Sequence, residues 1–405
     1  MFRAAAGAVL ALVALADVTE SFFGVGAPAL SHRTSDASVG AFGRVPAPPL
    51  RASAGAGDSL PVEYIDPTPM PKPPFRKVMA ANRAEIAVRI MRASTELNMG
   101  TVAIYGREDR YSQHRWGADQ SFELGRSDPL ATPISAYLDI PQIIDIALQN
   151  EVEAIHPGYG FLSESPEFAE ACGAAGITFV GPTVANLLRF ADKTSARAAA
   201  IEAGVPVVPG SDGAMETFGE VNEFVETNGL PIILKAAMGG GGKGMRVIRD
   251  PADVERLFDE ASSEALASFG DGSVFVESYV EDPRHIEVQI IGDGQGNVVH
   301  LFERDCSVQR RHQKVVEMAP AWSLPWELRE QLHEYATRLT SQANYKNAGT
   351  VEFLVDKKNR PFFIEVNPRI QVEHTVTEEV TGIDLVKAQL RIAGGESLEE
   401  IGLTQ

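Results

Sequence analysis

Residues 232–248 read IILKAAMGGGGKGMRVI, and the four consecutive glycines suit a loop that wraps around phosphate. A P-loop requires Ser or Thr after its Gly-Lys pair, but Lys243 is followed by Gly244. The stretch also matches G-x-G-x-x-G, yet a dinucleotide-binding fingerprint continues into a helix, whereas MRVI is typical of a strand. The stretch therefore predicts a β-hairpin with strands at 232–235 and 245–248. Its loop either brings backbone N–H groups to a phosphate or is a mobile surface turn.

The composition is typical of a globular protein with full hydrophobic cores. Of the 405 residues, 44% are hydrophobic and 22% are charged, and the length suits two domains with part of a third. The net charge of −19 argues against a nucleic-acid surface, so anionic ligands require local lysines and arginines. Cys172 and Cys306 lack the spacing of a zinc site or a disulfide framework, which favours a reducing compartment.

The first 60 residues differ in kind from the rest of the chain. Residues 4–16 form an apolar run, AAAGAVLALVALA, which is too short to span a membrane. Residues 1–57 carry four arginines, three acids and no lysine. We predict that residues 1–60 are a targeting segment, cleaved or disordered, of either the mitochondrial type or the two-part type of a complex plastid. A plain disordered extension is the alternative, and residues 61–75 are predicted to be a proline-rich linker.

Residues 76–106 predict a strand, a helix and a second strand. The run at 78–80 is apolar, and Gly100 is predicted to end the helix as its C′ residue. Apolar residues recur at helical spacing at Ile86, Ile90, Ala93 and Leu97. Similar units follow, so the pattern favours a doubly wound parallel sheet.

His156 lies in the sequence HPGYGFLSE and is a candidate catalytic base. No acid or second ligand stands near it in the sequence. We therefore interpret it as a loop histidine in a tight Pro-Gly turn.

Residues 350–367, TVEFLVDKKNRPFFIEVN, predict two strands around a short turn. If the hairpin is symmetric about that turn, Glu352 lies opposite Glu365 and Phe353 lies opposite Ile364. Asn367 is two residues beyond Glu365, on the same face.

Two carboxylates within about 5.5 Å repel each other, so one must be protonated or a cation must lie between them. Acids together with an amide oxygen suit Mg²⁺ or Mn²⁺ bridging phosphates. An exposed face that tolerates two acids is the alternative. Leu354 and Phe363, expected on the same face, favour burial and hence metal.

Two further stretches carry charged groups suited to anions. In PRIQVEH, Arg369 precedes Glu373 by four residues, which predicts either a salt bridge or a general base beside a bound anion. The stretch at 303–317, ERDCSVQRRHQKVVE, concentrates basic residues in an acidic chain, and we interpret it as an anion site rather than a solvated face. Its basic residues are Arg304, Arg310, Arg311, His312 and Lys314.

Six motifs, in order and spacing, resemble the biotin carboxylase component of biotin-dependent carboxylases, from about residue 76 onward. They are HPGYGFLSE, PGSDG, GGGGKGMRV, PRHIEVQ, ERDCSVQRRHQKVVE and NPRIQVEHTVTEE. Within that family, EDRYSQHRWGADQ, Pro368 and Thr375 are similar to the pyruvate carboxylase group. Acyl-CoA carboxylases more often have Thr and Pro at the last two positions.

The resemblance implies an α/β and α+β fold. A Rossmann-like N-terminal domain that precedes the ATP-grasp domain would span 76–190, and the ATP-grasp domain would span 191–395. Residues 396–405 would begin a C-terminal lobe that is otherwise missing, so the chain is expected to be a fragment or a truncated module. The glycine hairpin would be a lid over the triphosphate of ATP.

The implied reaction joins ATP and bicarbonate into carboxyphosphate and passes the carboxyl group to biotin. The implied cofactors are ATP, Mg²⁺ or Mn²⁺, and biotin on a carrier domain outside this chain. Bicarbonate, biotin carrier and carboxyltransferase domains and further copies of the chain would be the partners, without nucleic acid or a membrane span. The location would be the mitochondrial matrix or, alternatively, a plastid. An acetyl- or propionyl-CoA carboxylase and a non-catalytic ATP-binding module remain alternatives.

The resemblance also implies three sets of site residues. Metal would be bound by Glu352, Glu365 and Asn367. Arg369 would hold bicarbonate, Glu373 would take its proton, and Lys314 would stabilise carboxyphosphate. ATP would be held by Lys193, Lys235, Gly240, Gly241, Gly242, Glu277, Tyr279, Val280, His285, Gln309 and His312. Two departures are Ala84, where many relatives have Gly, and Ser278, where many have a basic residue.

Overall fold

Three β-sheets organise the part of the chain that the computed structural model describes. These residues are 72–125, 132–211, 213–236, 245–269, 271–310 and 313–403. They belong to one compact unit that begins at Lys72. The predicted targeting segment, Gly240, Gly241, Gly242, Arg311 and His312 lie outside the described residues.

The first sheet is parallel throughout, with the strand order β3-β2-β1-β4-β5. Met79 and Val78 alternate between two hydrophobic cores, one on each face of the sheet, which confirms the predicted doubly wound arrangement. Its strands are β1 Lys77–Ala80, β2 Gly100–Tyr105, β3 Gln120–Glu123, β4 Ala154–His156 and β5 Thr178–Phe179. The helices of this region are α1 Ala84–Glu96, α2 Gln113–Trp116, α3 Ile140–Gln149, α4 Pro166–Ala174, α5 Val184–Ala191 and α6 Lys193–Glu202.

The predicted end of α1 at Gly100 is wrong. The helix ends at Glu96, and Asn98 adopts the left-handed conformation with φ of 60°. Asparagine tolerates this region better than most residues, so glycine is not needed there. Gly100 instead begins β2 and pairs with Lys77.

His156 is the last residue of β4 rather than a loop residue, and it is fully buried. Its Nδ1 accepts a hydrogen bond from the backbone N–H of Gly158 at 3.0 Å, and its Nε2 lies 3.1 Å from Gln389 Oε1. Burial lowers its pKa to about 4. The imidazole is therefore neutral at physiological pH. Its two hydrogen bonds link the end of β4 to the Gly158 backbone and to the Gln389 side chain.

The second sheet contains the predicted glycine hairpin. Strands β6 Ile232–Ala236 and β7 Met245–Ile248 pair antiparallel, which confirms the hairpin, and β8 Val274–Ser278 pairs with the other edge of β6. Helices α7 Phe218–Asn228 and α8 Val254–Phe269 pack on this sheet through a separate apolar core.

The third sheet is antiparallel, with the order β11-β10-β9-β12-β13. One face packs on a helix through apolar residues such as Phe353 and Leu332, and the other face carries charged side chains. The strands are β9 Arg284–Asp293, β10 Val298–Arg310, β11 Gln313–Met318, β12 Lys346–Val355 and β13 Pro361–Asn367. The remaining helices are α9 Trp326–Gln342, α10 His374–Thr381 and α11 Leu385–Ala393. Within the described ranges, no helix is both long and apolar enough to cross a bilayer.

The β12–β13 hairpin has the predicted partners at Glu352 and Glu365, but the expected pairing of Phe353 with Ile364 is wrong. The register shifts after Glu352, so Phe353 pairs with Phe363. This bulge adds one residue to β13 and turns Phe363 to the apolar face. There the centroids of the Phe363 and Phe353 rings are 6.5 Å apart. Phe363 therefore does not share a face with Glu365, although Glu352 is buried as predicted.

Candidate active site

A row of charged residues crosses four strands of the third sheet. Arg304 pairs with Glu287, Glu287 with Glu352, and Glu352 with Glu365. Arg304 and Glu287 are fully buried, and only 4% of Glu352 is exposed. The sequence predicted the two acids of the hairpin, but it did not predict that Glu287 extends their row. The available signal was the alternation of polar residues in RHIEVQ, which places Glu287 on the same face as His285.

Lys314 supplies the positive charge at the centre of this row. Its ammonium contacts the Glu287 carboxylate and lies 3.2 Å from Glu352 Oε1 and 2.8 Å from Glu373 Oε1. Because β11 reaches the row through its pairing with β10, one lysine meets carboxylates from three separate segments. The side chain of Lys314 is only 22% exposed, so these contacts are poorly screened by water.

His285 forms a second polar contact with the row. Its Nδ1 accepts a hydrogen bond from Gln309 Nε2 at 2.9 Å, which leaves Nε2 to donate to Glu352 Oε2 at 2.7 Å. Gln309 is fixed in turn by donating to the Cys306 carbonyl at 2.9 Å. The two sequence-predicted residues therefore form a chain that ends on a candidate metal ligand.

The two acids of the hairpin have pKa values displaced in opposite directions. Burial opposes ionisation of Glu352, but His285 and Lys314 outweigh it and lower the pKa of Glu352 to about 2. Burial and the nearby Glu352 charge raise the pKa of Glu365 above its ordinary value. The charges of Lys193 and Arg369 act in the opposite direction but do not outweigh burial and Glu352, so the protein compensates the charge of Glu365 only in part.

The chemistry of these donors fits a hard divalent cation. Asn367 donates from Nδ2 to Glu352 Oε1 at 2.7 Å, so its amide lies against the Glu352 carboxylate, and Glu365 is the strand partner of Glu352. One ligand atom from each of His285, Glu287 and Glu352 lies within 4.8 Å of the other two, and Glu365 is not part of this group. Oxygen donors dominate this set, which is the preference of Mg²⁺.

Arg369 and Glu373 do not form the salt bridge that the sequence left open. Arg369 donates from Nε to Glu164 Oε1 at 2.5 Å and from Nη2 to Asn367 Oδ1 at 2.9 Å. Glu373, at the start of α10, contacts Lys314. Burial of Glu373 opposes its ionisation, but the adjacent ammonium outweighs burial and holds its pKa below the ordinary value.

The prediction that Arg304 belongs to an anion site is wrong. Its guanidinium is fully buried and hydrogen-bonded to other side chains of the protein. Its Nη2 donates to Gln371 Oε1 at 2.7 Å and to Glu287 Oε2 at 3.2 Å, and its Nη1 donates to Gln289 Oε1 at 2.8 Å. The predicted basic stretch thus divides into Arg304, which is internal, Lys314, which faces the carboxylates, and Arg310, which is exposed.

The predicted nucleotide-binding side chains occupy two places. On the second sheet, the Lys235 ammonium contacts the Glu277 carboxylate, and the Tyr279 backbone N–H donates to the Pro231 carbonyl at 2.8 Å. Val280 follows at the end of this segment and is half-buried. Lys193 begins α6, and its positive charge opposes the upward displacement of the Glu365 pKa without outweighing it.

Comparison with protein families assigns both parts of the described chain. Residues 74–187 match the biotin carboxylase N-terminal domain, and residues 192–401 match the ATP-binding domain of the carbamoyl-phosphate synthase L chain. The fold and the site therefore define a nucleotide-binding chain of the ATP-grasp class. More particularly, the chain belongs to the biotin carboxylase family.

Relatives and a solved structure agree with this family. The chain is 56% identical over 331 residues to a pyruvate carboxylase from Aspergillus niger and 55% identical over 332 residues to the mitochondrial pyruvate carboxylase of Homo sapiens. Each match covers 82% of this chain but 28% of the relative, so the chain spans less than a third of their length. It is also similar to the biotin carboxylase domain dimer of the Hydrogenobacter thermophilus 2-oxoglutarate carboxylase, which was solved with MgADP, ADP and bicarbonate. That similarity has a TM-score of 0.71 at 46% identity and covers 80% of this chain and 70% of the other.

Proposed function

We propose that the chain is the ATP- and bicarbonate-binding part of a biotin carboxylase that serves a pyruvate carboxylase. The observation that carries this proposal is the carboxylate row of Glu287, Glu352 and Glu365, with Lys314 at its centre and Arg369 beside it. The arrangement offers positions for a cation and for an anion within one polar face. Kinship with pyruvate carboxylases supports the assignment.

Glu352, Glu365 and Asn367 would hold Mg²⁺, which would neutralise phosphate charge when bound. Lys193 and Lys235 would contact the phosphates of ATP, and Glu277, Tyr279 and Val280 would lie on the adenine side. Gly240, Gly241, Gly242 and His312 complete the proposed set. The MgADP bound to the Hydrogenobacter relative supports both ligands.

Arg369 would bind bicarbonate, because its planar guanidinium matches the geometry of a carboxylate-like anion. Glu373 is held in its ionised form and would accept the bicarbonate proton as a bicarbonate oxygen attacks the terminal phosphorus of ATP. ADP would leave, and carboxyphosphate would form next to the Lys314 ammonium. His285 and Gln309 would keep Glu352 oriented during this step.

The carboxyl group would then pass from carboxyphosphate to a ureido nitrogen of biotin on a carrier domain, with inorganic phosphate leaving and taking up the proton of that nitrogen. A carboxyltransferase domain would transfer the carboxyl group to pyruvate. The chain covers less than a third of the length of its pyruvate carboxylase relatives. The carrier domain, the carboxyltransferase domain and the assembly of several copies are therefore proposed by analogy with these relatives. The human relative's mitochondrial name supports a mitochondrial location, with a plastid as the alternative.

Calorimetric titration with Mg-ATP tests the nucleotide assignment. The chain should bind Mg-ATP, and Lys235→Ala should weaken binding at least tenfold because one phosphate donor is lost. Glu277→Gln separates this effect from the loss of the Lys235–Glu277 ion pair. Lys357→Ala, at a surface pair with Asp282, is the matched control and should change nothing. Equal affinity of Lys235→Ala and the unsubstituted chain would contradict the assignment.

ATP cleavage that depends on bicarbonate, measured with added free biotin, tests the chemistry. Glu373→Gln should abolish this cleavage while it leaves Mg-ATP affinity within about twofold. Cleavage that is insensitive to bicarbonate would favour a nucleotide-binding module without carboxylase chemistry.

A further inference from the structure

Glu164 belongs to none of the residue sets assigned above, yet it contacts the proposed anion-binding arginine. Its Oε1 accepts a hydrogen bond from Arg369 Nε at 2.5 Å. The two residues are 205 positions apart in the sequence. Glu164 lies in the loop between β4 of the first sheet and α4, and Arg369 follows β13 of the third sheet. The side chains are 43% and 23% exposed, so the contact lies at the rim of the site and not in a core.

The loop that carries Glu164 is held firmly on the parallel sheet. Asn82 Nδ2 donates to the carbonyl of Pro157 at 2.7 Å and to that of Tyr159 at 2.8 Å. Gly158 has φ of +67°, and a Cβ atom there would lie 2.9 Å from Ile86 Cγ1, so only glycine fits this close approach. These contacts anchor the start of the loop on the parallel sheet, and the backbone bonds from Ser163 N–H to Gly160 and from Ser165 N–H to Leu162 order the chain on either side of Glu164.

Arg369 is braced from two sides. Glu164 takes Nε–H, Asn367 Oδ1 accepts from Nη2 at 2.9 Å, and the Ile370 carbonyl lies 3.4 Å from Nη1. A guanidinium has five N–H donors, so two remain beyond these partners among the described residues. Two N–H groups held in one plane are what a planar, carboxylate-like anion requires for a two-point contact.

We propose that Glu164 is a positioning residue that orients Arg369 for bicarbonate. This inference rests on the proposed function, and it assigns the first sheet a part in anion binding. With Glu164 in place, Arg369 is ordered before the anion arrives, so less side-chain entropy is lost on binding. The guanidinium of a Glu164 variant samples several orientations and binds the anion more weakly.

The sign of the effect is diagnostic. Removing a carboxylate beside an anion site strengthens anion binding on simple electrostatic grounds, because a nearby like charge is lost. Orientation predicts the opposite result. Weaker bicarbonate binding in a Glu164 variant thus reports positioning, whereas stronger binding reports that Glu164 competes with the anion for Arg369.

The experiment is a titration of bicarbonate into the whole chain labelled with ¹⁵N in arginine, followed by the Nε–H signal of Arg369. Glu164→Ala removes the brace and should raise the bicarbonate Kd about tenfold. Glu164→Gln keeps an acceptor oxygen and should raise it about threefold. Glu170→Gln, an exposed acid on α4, removes the same charge elsewhere and should leave the Kd within about twofold.

Mg-ATP affinity and the thermal midpoint of unfolding complete the measurement, and neither should change in the Glu164 variants. An unchanged or lower bicarbonate Kd in Glu164→Ala overturns the inference, as does an equal loss of Mg-ATP affinity. If the unsubstituted chain binds Mg-ATP but bicarbonate does not shift the Arg369 signal, the inference fails alone. If Mg-ATP does not bind, the proposed function fails, and the bicarbonate titration is still read independently.

Discussion

Glu352 and Glu365 lie directly opposite each other across β12 and β13, yet their pKa values are displaced in opposite directions. His285 and Lys314 contact Glu352, whereas burial and repulsion act on Glu365. The protein alone thus favours the ionised form of Glu352 and disfavours that of Glu365. We expect a bound divalent cation to stabilise the charge of Glu365 as well.

Glu365→Gln should therefore stabilise the chain in the absence of divalent cations at pH 7. The pKa of Glu365 is raised in the folded state, so ionisation costs stability as pH rises above its unfolded value of about 4.5. The gain from glutamine should be present at pH 7 and should disappear below pH 4.5. Urea denaturation of both proteins across this pH range measures it.

Mg-ATP provides the counter-test for the same variant. It should stabilise the unsubstituted chain and stabilise Glu365→Gln much less, because a metal ligand is lost. Equal stabilisation of the two proteins would show that Glu365 is not a ligand.

Glu352→Gln should have the opposite pH dependence. The folded pKa of Glu352 is about 2, below its ordinary 4.5, so its ionised form contributes stability above pH 4.5 that is lost as pH falls through 2. We expect the variant to be less stable by about 3 kcal/mol at pH 7, with the gap closing between pH 4.5 and 2. A gap that does not depend on pH would mean that packing, not charge, stabilises this position.

Lys314→Met should be among the most destabilising substitutions in the site. It leaves the carboxylates of Glu287, Glu352 and Glu373 without their shared ammonium, which costs about 3 kcal/mol at pH 7. The deficit should shrink at lower pH as these acids take up protons. Lys357→Met is the control, because its ion pair with Asp282 is exposed and should contribute less than about 1 kcal/mol.

Ala84→Gly should stabilise the start of α1. Ala84 has φ of 55° and is exposed, so its Cβ is strained in a conformation that glycine adopts freely. The relief exceeds the entropy cost of glycine in the unfolded chain, and we expect a net gain of about 0.5 kcal/mol in the free energy of unfolding. Ala198→Gly, at an exposed position within α6, should instead cost about 1 kcal/mol.

The hairpin of β12 and β13 illustrates how much of the site is predictable from local sequence. Short-range symmetry about the turn gives the opposition of Glu352 and Glu365, because few residues separate them. It does not give the register shift at Ile364, since a bulge depends on which side chains the apolar face can accept. The face of Phe363 was therefore predicted wrongly, while the acids were placed correctly.

Long-range pairing limits the prediction of the rest. Glu287 meets Glu352 through a strand pairing across 65 positions, and Glu164 meets Arg369 across 205. No local pattern encodes such registers. The alternation of His285 and Glu287 shows only that the two side chains share a face of the strand. Of these two residues, the resemblance to a family identified only His285 as a site residue. Arg304 was misassigned because a basic stretch does not reveal which of its members turn inward.

The contacts of Lys314 bear on how the newly made chain matures. One ammonium already balances part of the acidic cluster before any ligand arrives, so we expect the native state to form without magnesium. Folding should consequently proceed in the presence of a chelator. The ion would then enter together with the nucleotide it accompanies, and loading of the site would follow cellular ATP rather than free metal.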